Sequence, residues 1–258
     1  MTARREPDFG PVDRTNLYPE RLTGDRLIPF IFEYLNRSNQ ATLFAPRQQV
    51  QLGERVLALA EAGGKATAVT PLLAKLFVDS AVKRTQEGTG LQDMPQDVPE
   101  IFIDYLRRSH PTASTGFDTL ISAARILAVV SVGDSFVPGD FRQDTAIAAL
   151  SAKGLAHQAE QLTGQLVSNG VLERRVFGGL SVLRFGLDPA AEYLAAIEWI
   201  DRLRTDSAKW EEFTVRLRGT EGYPNTIEGF LQALSTCYIA YKKPLGLPVQ
   251  SFPWDRVD

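Results

Sequence analysis

The stretch VLERRVFGGLSVLRFGLDPAAEYLAA, residues 171–196, decides the fold. It joins two segments of alternating apolar and polar residues to a helix with almost no linker between them. Apolar and polar residues alternate in VLERRVF and LSVLRFGL, which is typical of half-buried strands. Gly178-Gly179 between them is a favoured two-residue hairpin turn. The sequence therefore predicts a β-hairpin followed by a helix, with Asp188 as the helix N-cap and Pro189 at the first helical position.

Three helical segments precede this hairpin, at about 117–130, 141–150 and 156–168. The stretch SVGDSFVPGD, residues 131–140, separates the first from the second. The order of three helices and a hairpin is that of a winged-helix domain, which we expect at 113–188.

Apolar residues at helical spacing predict further helices on both sides of this unit. They are expected around 27–35, at 47–62, from Pro71 with Thr70 as the cap, around 101–106, at 189–204, at about 207–217, and at 225–241 with a capping box of Asn225 and Glu228. The expected fold is mainly α, with a helical lid-like subdomain before the winged helix and a helical extension after it. The expected boundaries are an extended lead-in at 1–19, the lid-like subdomain at 20–112, the winged helix at 113–188, the extension at 189–243 and an extended tail at 244–258.

The composition is that of an ordinary globular protein, with 44% hydrophobic and 23% charged residues among 258. A net charge of −3 gives no general attraction to nucleic acid or to an anionic membrane. The single cysteine excludes an internal disulfide framework and favours a reducing compartment. No apolar run approaches the roughly 18 residues that a membrane span needs, and no apolar region follows the charged N-terminus, so we expect a cytoplasmic protein without a signal peptide.

Catalytic residues are scarce in this sequence. His110 and His157 lie far apart, no metal-ligand spacing occurs, and Cys237 falls on the apolar side of the last helix, where a buried thiol is expected. The stretch EAGGKATA, residues 61–68, is not a phosphate-binding loop, because Leu59 stands at the first glycine position and Ala66 follows Lys65. We therefore expect no enzyme activity and no metal site in this chain.

Nucleic-acid binding is the alternative that a winged helix raises. A recognition helix should offer cations to phosphates, yet residues 155–169 contain no Lys or Arg and include Glu160. Arg174 and Arg175 in the hairpin would neutralise few phosphates. A free-standing winged-helix regulator that binds nucleic acid stays open as the second interpretation, and nucleic acid is not the expected partner.

Several stretches resemble NACHT-type STAND ATPases, specifically the region that follows their nucleotide-binding sheet. TPLLAKLFVDSAV at 70–82 is similar to the proline-containing lid helix, and it is preceded by IPFIFEYL at 28–35. FGLDPAAEYLAA at 185–196 resembles the motif that closes the winged helix in that family. The remaining matches are FVPGDF at 136–141, WEEFT at 210–214 and TIEGFLQAL at 226–234, the last two resembling helices that lead into HEAT-type repeats in bacterial members.

The resemblance implies two nucleotide-contacting positions, Pro71 against the adenine nucleotide and Leu187 where the family has a phosphate-sensing histidine. The leucine side chain neither donates a hydrogen bond nor carries charge, so Leu187 lacks the group with which the family histidine reaches phosphate. The resemblance further implies that Tyr193 and Leu194 anchor the helix onto the hairpin, although we favour plain core packing for both. Glu192 would pair across a domain interface or, as we favour, lie on a solvated helix face.

The catalytic sheet of the family has no counterpart here, so the resemblance implies a non-catalytic regulatory or interaction portion of a NACHT-like signalling switch. ATP or ADP would bind only if a separate nucleotide-binding domain is supplied. The expected partners are proteins, including a separate nucleotide-binding or repeat domain. The chain would then be a fragment, a split-gene product or one piece of a larger switch.

Overall fold

A computed structural model describes residues 21–62, 69–91, 93–109 and 116–248. These residues form a mainly helical fold, as the sequence predicts, with a small three-stranded antiparallel sheet that adds one short strand to the predicted hairpin. The expected lead-in, the GGK stretch with Lys65, His110 and the tail beyond residue 248 lie outside the described residues. Within the described ranges, no helix combines the length and apolar character that a bilayer span requires.

Four helices form the first part of the fold, and each follows its apolar stripe. In the first of them, Leu27, Ile31 and Leu35 recur at helical spacing and are buried. The third begins as predicted, because the Thr70 hydroxyl accepts a hydrogen bond from the backbone N–H of Leu73 at 3.2 Å. Their bounds are α1 Gly24–Arg37, α2 Pro46–Ala62, α3 Pro71–Gln86 and α4 Val98–Ser109.

The middle of the chain alternates helices with short strands. Its elements are α5 Phe117–Val132, β1 Phe141–Arg142, α6 Gln143–Leu150, α7 Ala159–Ser168, β2 Leu172–Phe177 and β3 Leu180–Phe185. The sheet order is β1-β3-β2, with Phe141 opposite Leu183 and Leu172 opposite Phe185. The hairpin is therefore confirmed. The winged-helix interpretation of this element order stays a prediction.

Two of the predicted helix bounds in this region are wrong. Residues 141–142 pair with β3 instead of opening α6, and a two-residue strand is too short to leave an alternating pattern in the sequence. Residues 151–158 form irregular helical turns, with Gly154 at φ 82°, so α7 begins three residues later than predicted. A positive φ favours glycine and interrupts a regular helix.

Three helices follow the hairpin, α8 Asp188–Leu203, α9 Ser207–Arg218 and α10 Glu228–Leu245. The predicted capping box at α10 is wrong, because Asn225–Ile227 form a 3-10 turn and Ile227 takes the N-cap position. The helix then continues through Pro244, two residues into the predicted tail, and Gly246 ends it in the left-handed region at φ 61°.

The buried side chains form one continuous core that crosses the predicted domain boundaries. Helix α8 lies at its centre and packs against α4, α5, α9 and α10. Beside it, aromatic rings join the linker after α5 to the last helices: the ring of Phe136 lies 5.6 Å from that of Phe213 and 5.2 Å from that of Phe230. Helix α8 thus connects the three predicted helical parts of the chain.

Candidate functional site

The junction between β3 and α8 is the first candidate site, because the expected nucleotide-contacting residue Leu187 lies there. Leu187 takes the N-cap position with extended backbone, and its carbonyl accepts from the N–H groups of Ala190 and Ala191 at 3.0 and 3.3 Å. Its side chain is half-buried and packs against the core. The position has no polar side-chain atom to offer a phosphate group.

The predicted capping role of Asp188 is wrong. Asp188 is the first helical residue, and its side chain makes no capping hydrogen bond at this helix start. Both carboxylate oxygens instead lie 3.3 Å from one guanidinium nitrogen of Arg184. The carboxylate also stands in the first turn, where the helix dipole favours negative charge. Asp188 therefore ties the helix start to the hairpin.

The second expected nucleotide contact, Pro71, is half-buried at the start of α3. Helix α3 packs mainly against α1, α2 and α4, whereas α8 packs against α4, α5, α9 and α10. Among the main packing partners of the two helices, only α4 is shared. The nucleotide-contacting roles of Pro71 and Leu187 stay predictions.

All five residues of the EYLAA motif, 192–196, are buried. Leu194 is fully buried, and Tyr193 stacks on Phe102 of α4 with ring centroids 4.5 Å apart. Tyr193 thus packs against α4, which is the plain core role. Burial raises the pKa of the Tyr193 phenol. Glu192 is 2% exposed, so the expectation of a solvated carboxylate is wrong.

The tip of the hairpin exposes apolar side chains. Gly178 and Gly179 adopt φ 57° and 81°, as a two-residue hairpin turn requires. Val176 is 69% exposed and Leu180 is 51% exposed, whereas Leu183 is buried nearer the base. Apolar side chains at an exposed tip are accessible to another protein surface. We call Val176 and Leu180 the hairpin tip.

The arginines near the hairpin pair mostly with carboxylates of the same chain. Arg175 donates to Glu173 at 2.7 Å, and this carboxylate raises the pKa of the guanidinium. Arg184 pairs with Asp188, and Arg142 pairs with Asp144, whose pKa this ion pair lowers. His157, in the 3-10 turn before α7, and Glu160, in the first turn of α7, are both exposed. Among the described residues of 116–188, Arg174 and Lys153 are exposed cations without an ion pair, and two such charges would release few counterions on phosphate binding.

The structure gives no support to a nucleophile or a metal centre within the described ranges. Cys237 is fully buried, its sulfur lies 3.9 Å from the Tyr193 carbonyl oxygen, and burial raises the pKa of the thiol well above its usual range. A neutral buried thiol is a poor nucleophile. In the same ranges, no three His, Cys, Asp or Glu side chains are grouped closely enough to hold a metal ion.

No protein-family model matches the sequence, and no curated protein or solved structure is significantly similar to the chain. The similarity of residues 185–196 to the NACHT family therefore remains a resemblance. The functional assignment must be argued from the residues of this chain.

Sequence reasoning missed the ionic contacts that hold α8 in place. The Arg125 guanidinium on α5 lies 3.2 Å from Glu198 and also pairs with Asp201, while Arg202 donates to Glu198 at 2.9 Å. The spacing of Glu198 and Arg202 signals a pair within the helix. Nothing in the sequence pairs Arg125 with residues more than seventy positions away. That contact depends on how α5 and α8 pack.

Proposed function

We propose that this chain is a non-catalytic regulatory and interaction portion of a NACHT-like signalling switch, with 113–188 as a winged helix that acts through protein contacts. The hairpin tip carries the proposal. It offers exposed Val176 and Leu180 to a partner, whereas Arg142, Arg175 and Arg184 pair with carboxylates of the same chain. Arg174 is the hairpin arginine without such a pair among the described residues.

The register pairs Val176 with Ser181 and Leu180 with Phe177, so the two apolar side chains lie on opposite faces of the hairpin, and a partner that contacts both must enclose the tip. Exposed apolar side chains suit a protein partner better than a nucleic acid.

The packing of α8 supports a mechanical role in such a switch. Arg184, near the end of β3, pairs with Asp188 at the start of α8, and α8 then runs through the centre of the core. A force on the hairpin would therefore reach α4, α5 and α10 through packed side chains. This arrangement fits a rigid arm that moves with the helices around α8 when a partner changes conformation.

The partner in this proposal is a polypeptide that carries the nucleotide-binding sheet. That partner would supply the phosphate-binding loop, and ATP or ADP would bind there. We expect the chain alone to show no Mg-ATP turnover above background. Measurable turnover by the purified protein that is lost on changing Lys65 would overturn the non-catalytic assignment.

A capture experiment tests the interaction directly. The full chain and the variant Val176→Ser/Leu180→Ser serve as matched baits in lysate from the source cells, with ADP or ATP added. We expect the unchanged chain to retain a polypeptide that contains a G-x-x-x-x-G-K-[ST] loop, in amounts that depend on the nucleotide. Equal capture by both baits, or the absence of such a polypeptide, contradicts the proposal.

Duplex DNA provides the test against the second interpretation. A gel-shift or anisotropy titration at two salt concentrations should show no salt-dependent binding. A strong salt-dependent shift would instead establish the nucleic-acid-binding alternative.

A further inference from the structure

A buried carboxylate on α4 is surrounded by three arginines. Asp104 has a side chain only 4% exposed, and its two oxygens accept from Arg84 at 2.9 Å and from Arg108 at 3.0 Å. Arg107 lies 3.8 Å from the same carboxylate. We call Arg84, Arg107 and Arg108 the arginine cluster. It lies between α3 and α4, away from the hairpin.

The charges in this cluster do not balance. An arginine keeps its positive charge at physiological pH, so among the described residues the Asp104 carboxylate compensates one of three positive charges. Arg107 is half-exposed, which leaves one excess charge in the shielded pair Arg84 and Arg108. The neighbouring acids on these helices are engaged elsewhere: Glu87 lies 3.8 Å from Lys83, and Glu100 accepts from the backbone N–H of Gln96 at 2.7 Å. Arg84 and Arg108 have side chains only 18% and 15% exposed. Excess charge in so shielded a place is unfavourable unless an anion compensates it.

The guanidinium groups are held in position without that anion. Arg84 donates through Nε to Ser80 at 3.4 Å, and Arg108 donates through Nη2 to the Leu76 carbonyl at 2.9 Å. Arg107 lies over the ring of Phe117, with its guanidinium carbon 5.2 Å from the centroid. Fixed donors lose little conformational freedom when a ligand binds.

Donors remain unused after these contacts. The Nη1 nitrogens of Arg84 and Arg108 donate to no residue in the described part of the chain, and the guanidinium of Arg107 makes no hydrogen bond there. Planar guanidinium groups with free N–H donors match the oxygens of phosphate, often two at a time.

We propose that the arginine cluster binds a phosphate-type oxyanion, such as inorganic phosphate or the phosphate group of a larger molecule. The site lies on α3 and α4 and needs neither the hairpin tip nor a partner domain. It is therefore independent of the proposed switch function, and either proposal can fail without the other.

Phosphate binding is measured with the purified full chain by thermal unfolding and isothermal titration calorimetry. Phosphate is compared with chloride at equal ionic strength and pH. We expect a saturable heat of binding and a higher unfolding temperature in phosphate. Identical unfolding temperatures in the two salts, with no heat of binding, would overturn the proposal.

Arg107→Gln tests the contribution of the most exposed member. Its side chain is 53% exposed, so the variant should fold, and loss of one charged donor should weaken phosphate binding about tenfold. The matched control is Arg37→Gln, since Arg37 is an exposed arginine paired with Glu33 on α1. An equal loss of affinity in both variants would show only general attraction of anions.

Asp104→Asn separates anion binding from a structural role. Removing the competing carboxylate should strengthen phosphate binding, whereas a purely structural cluster would lose stability and gain no affinity. If this variant does not fold in chloride, rescue of its folding by phosphate supports the site. Where rescue fails, the phosphate affinity of Arg107→Gln decides whether the site exists.

Parallel titrations with a phosphoserine peptide and with ADP identify the source of the phosphate. Binding of ADP without binding of phosphate would overturn the proposal, because the base would then be the recognised group.

Discussion

Helix α8 and the β2–β3 hairpin are neighbours in the sequence, but α8 is largely buried and the tip of the hairpin is exposed. Only Gly186 and Leu187 separate β3 from α8. The first three turns of α8 are buried almost continuously, from Ala190 to Ile197, while the hairpin exposes Val176 and Leu180 at its tip. One continuous stretch of sequence therefore supplies both the centre of the core and the most accessible apolar surface of the hairpin.

The difference follows from side-chain size and from what lies alongside. Four buried alanines in α8 let neighbouring helices approach closely, and α5 opposes it with its own buried alanines Ala123, Ala124 and Ala128. Close packing of this kind leaves little room for any change of volume. The hairpin is buried at its base, at Leu172, Leu183 and Phe185, and nearer the tip Ser181 donates a hydrogen bond to Gln143 of α6 at 2.7 Å. We infer that α8 determines stability and that the hairpin tip is free to determine binding.

The same leucine-to-alanine change should have very different effects in the two regions. Leu194→Ala in α8 removes a fully buried side chain and should lower the free energy of unfolding by about 2–5 kcal/mol. Leu180→Ala at the tip should change it by less than about 0.5 kcal/mol. Urea unfolding of both variants measures the difference. Similar losses in the two variants would contradict the contrast between core and tip.

The ionic contacts between α5 and α8 should contribute less than the apolar packing. Arg125→Ala leaves Glu198 and Asp201 without their partner from α5, although Arg202 still donates to Glu198. Because these groups are only partly shielded, we expect a loss of about 1–3 kcal/mol in the free energy of unfolding. Arg142→Ala, at an exposed pair with Asp144, is the matched control and should cost at most about 1 kcal/mol. Equal losses would show that the α5–α8 contact adds nothing beyond a surface ion pair.

The sequence predicts the regular part of this architecture well and its irregular joints poorly. The stripe of Leu27, Ile31 and Leu35, the Thr70 cap and the Gly178-Gly179 turn are local signals, and the structure confirms all three. Asp188 and Asn225 carry local signals too, yet neither caps its helix. Asp188 forms an ion pair with Arg184 instead, and Asn225 lies in a 3-10 turn. Local propensity fails where a competing contact or a tighter turn is available.

The candidate sites were less predictable than the fold because they depend on contacts distant in sequence. The alternation of apolar and polar residues along a strand shows which face is buried. It does not show how far along the hairpin the core reaches, so it does not predict that Val176 and Leu180 are exposed. Arg107 and Arg108 follow Asp104 by three and four residues, and this spacing predicts ion pairs within α4. The approach of Arg84 from α3, which makes the charge unbalanced, follows only from the packing of the two helices.

The buried thiol beside α8 should make stability depend on pH in alkaline solution. Burial raises the pKa of Cys237 in the folded chain above the ordinary value of 9.0, so the unfolded chain releases this proton first. The contribution of Cys237 is therefore constant below about pH 9, and stability falls as the pH rises from there towards the folded-state pKa. The loss should be about 1 kcal/mol per pH unit.

Cys237→Ala provides the comparison for that effect, measured by urea unfolding between pH 7 and 10.5. Buried tyrosines such as Tyr193, whose pKa is also raised, give both proteins a common alkaline loss. The unchanged chain should lose stability more steeply than the variant above pH 9. Parallel curves for the two proteins would show that the thiol ionises as easily in the folded chain as in the unfolded one.

The smallest effect on stability is expected at the hairpin tip, and it is the most informative about function. Val176→Ser/Leu180→Ser exchanges two exposed apolar side chains for small polar ones, so urea unfolding should stay within about 0.5 kcal/mol of the unchanged chain. A loss above about 1 kcal/mol would mean that the tip packs within the free protein and is not an open surface. If stability is unchanged and capture of the partner is lost, the two side chains act in binding alone. In that case α8 and the hairpin divide the two tasks between them, because core packing fixes the position of the tip without using the tip's own apolar surface.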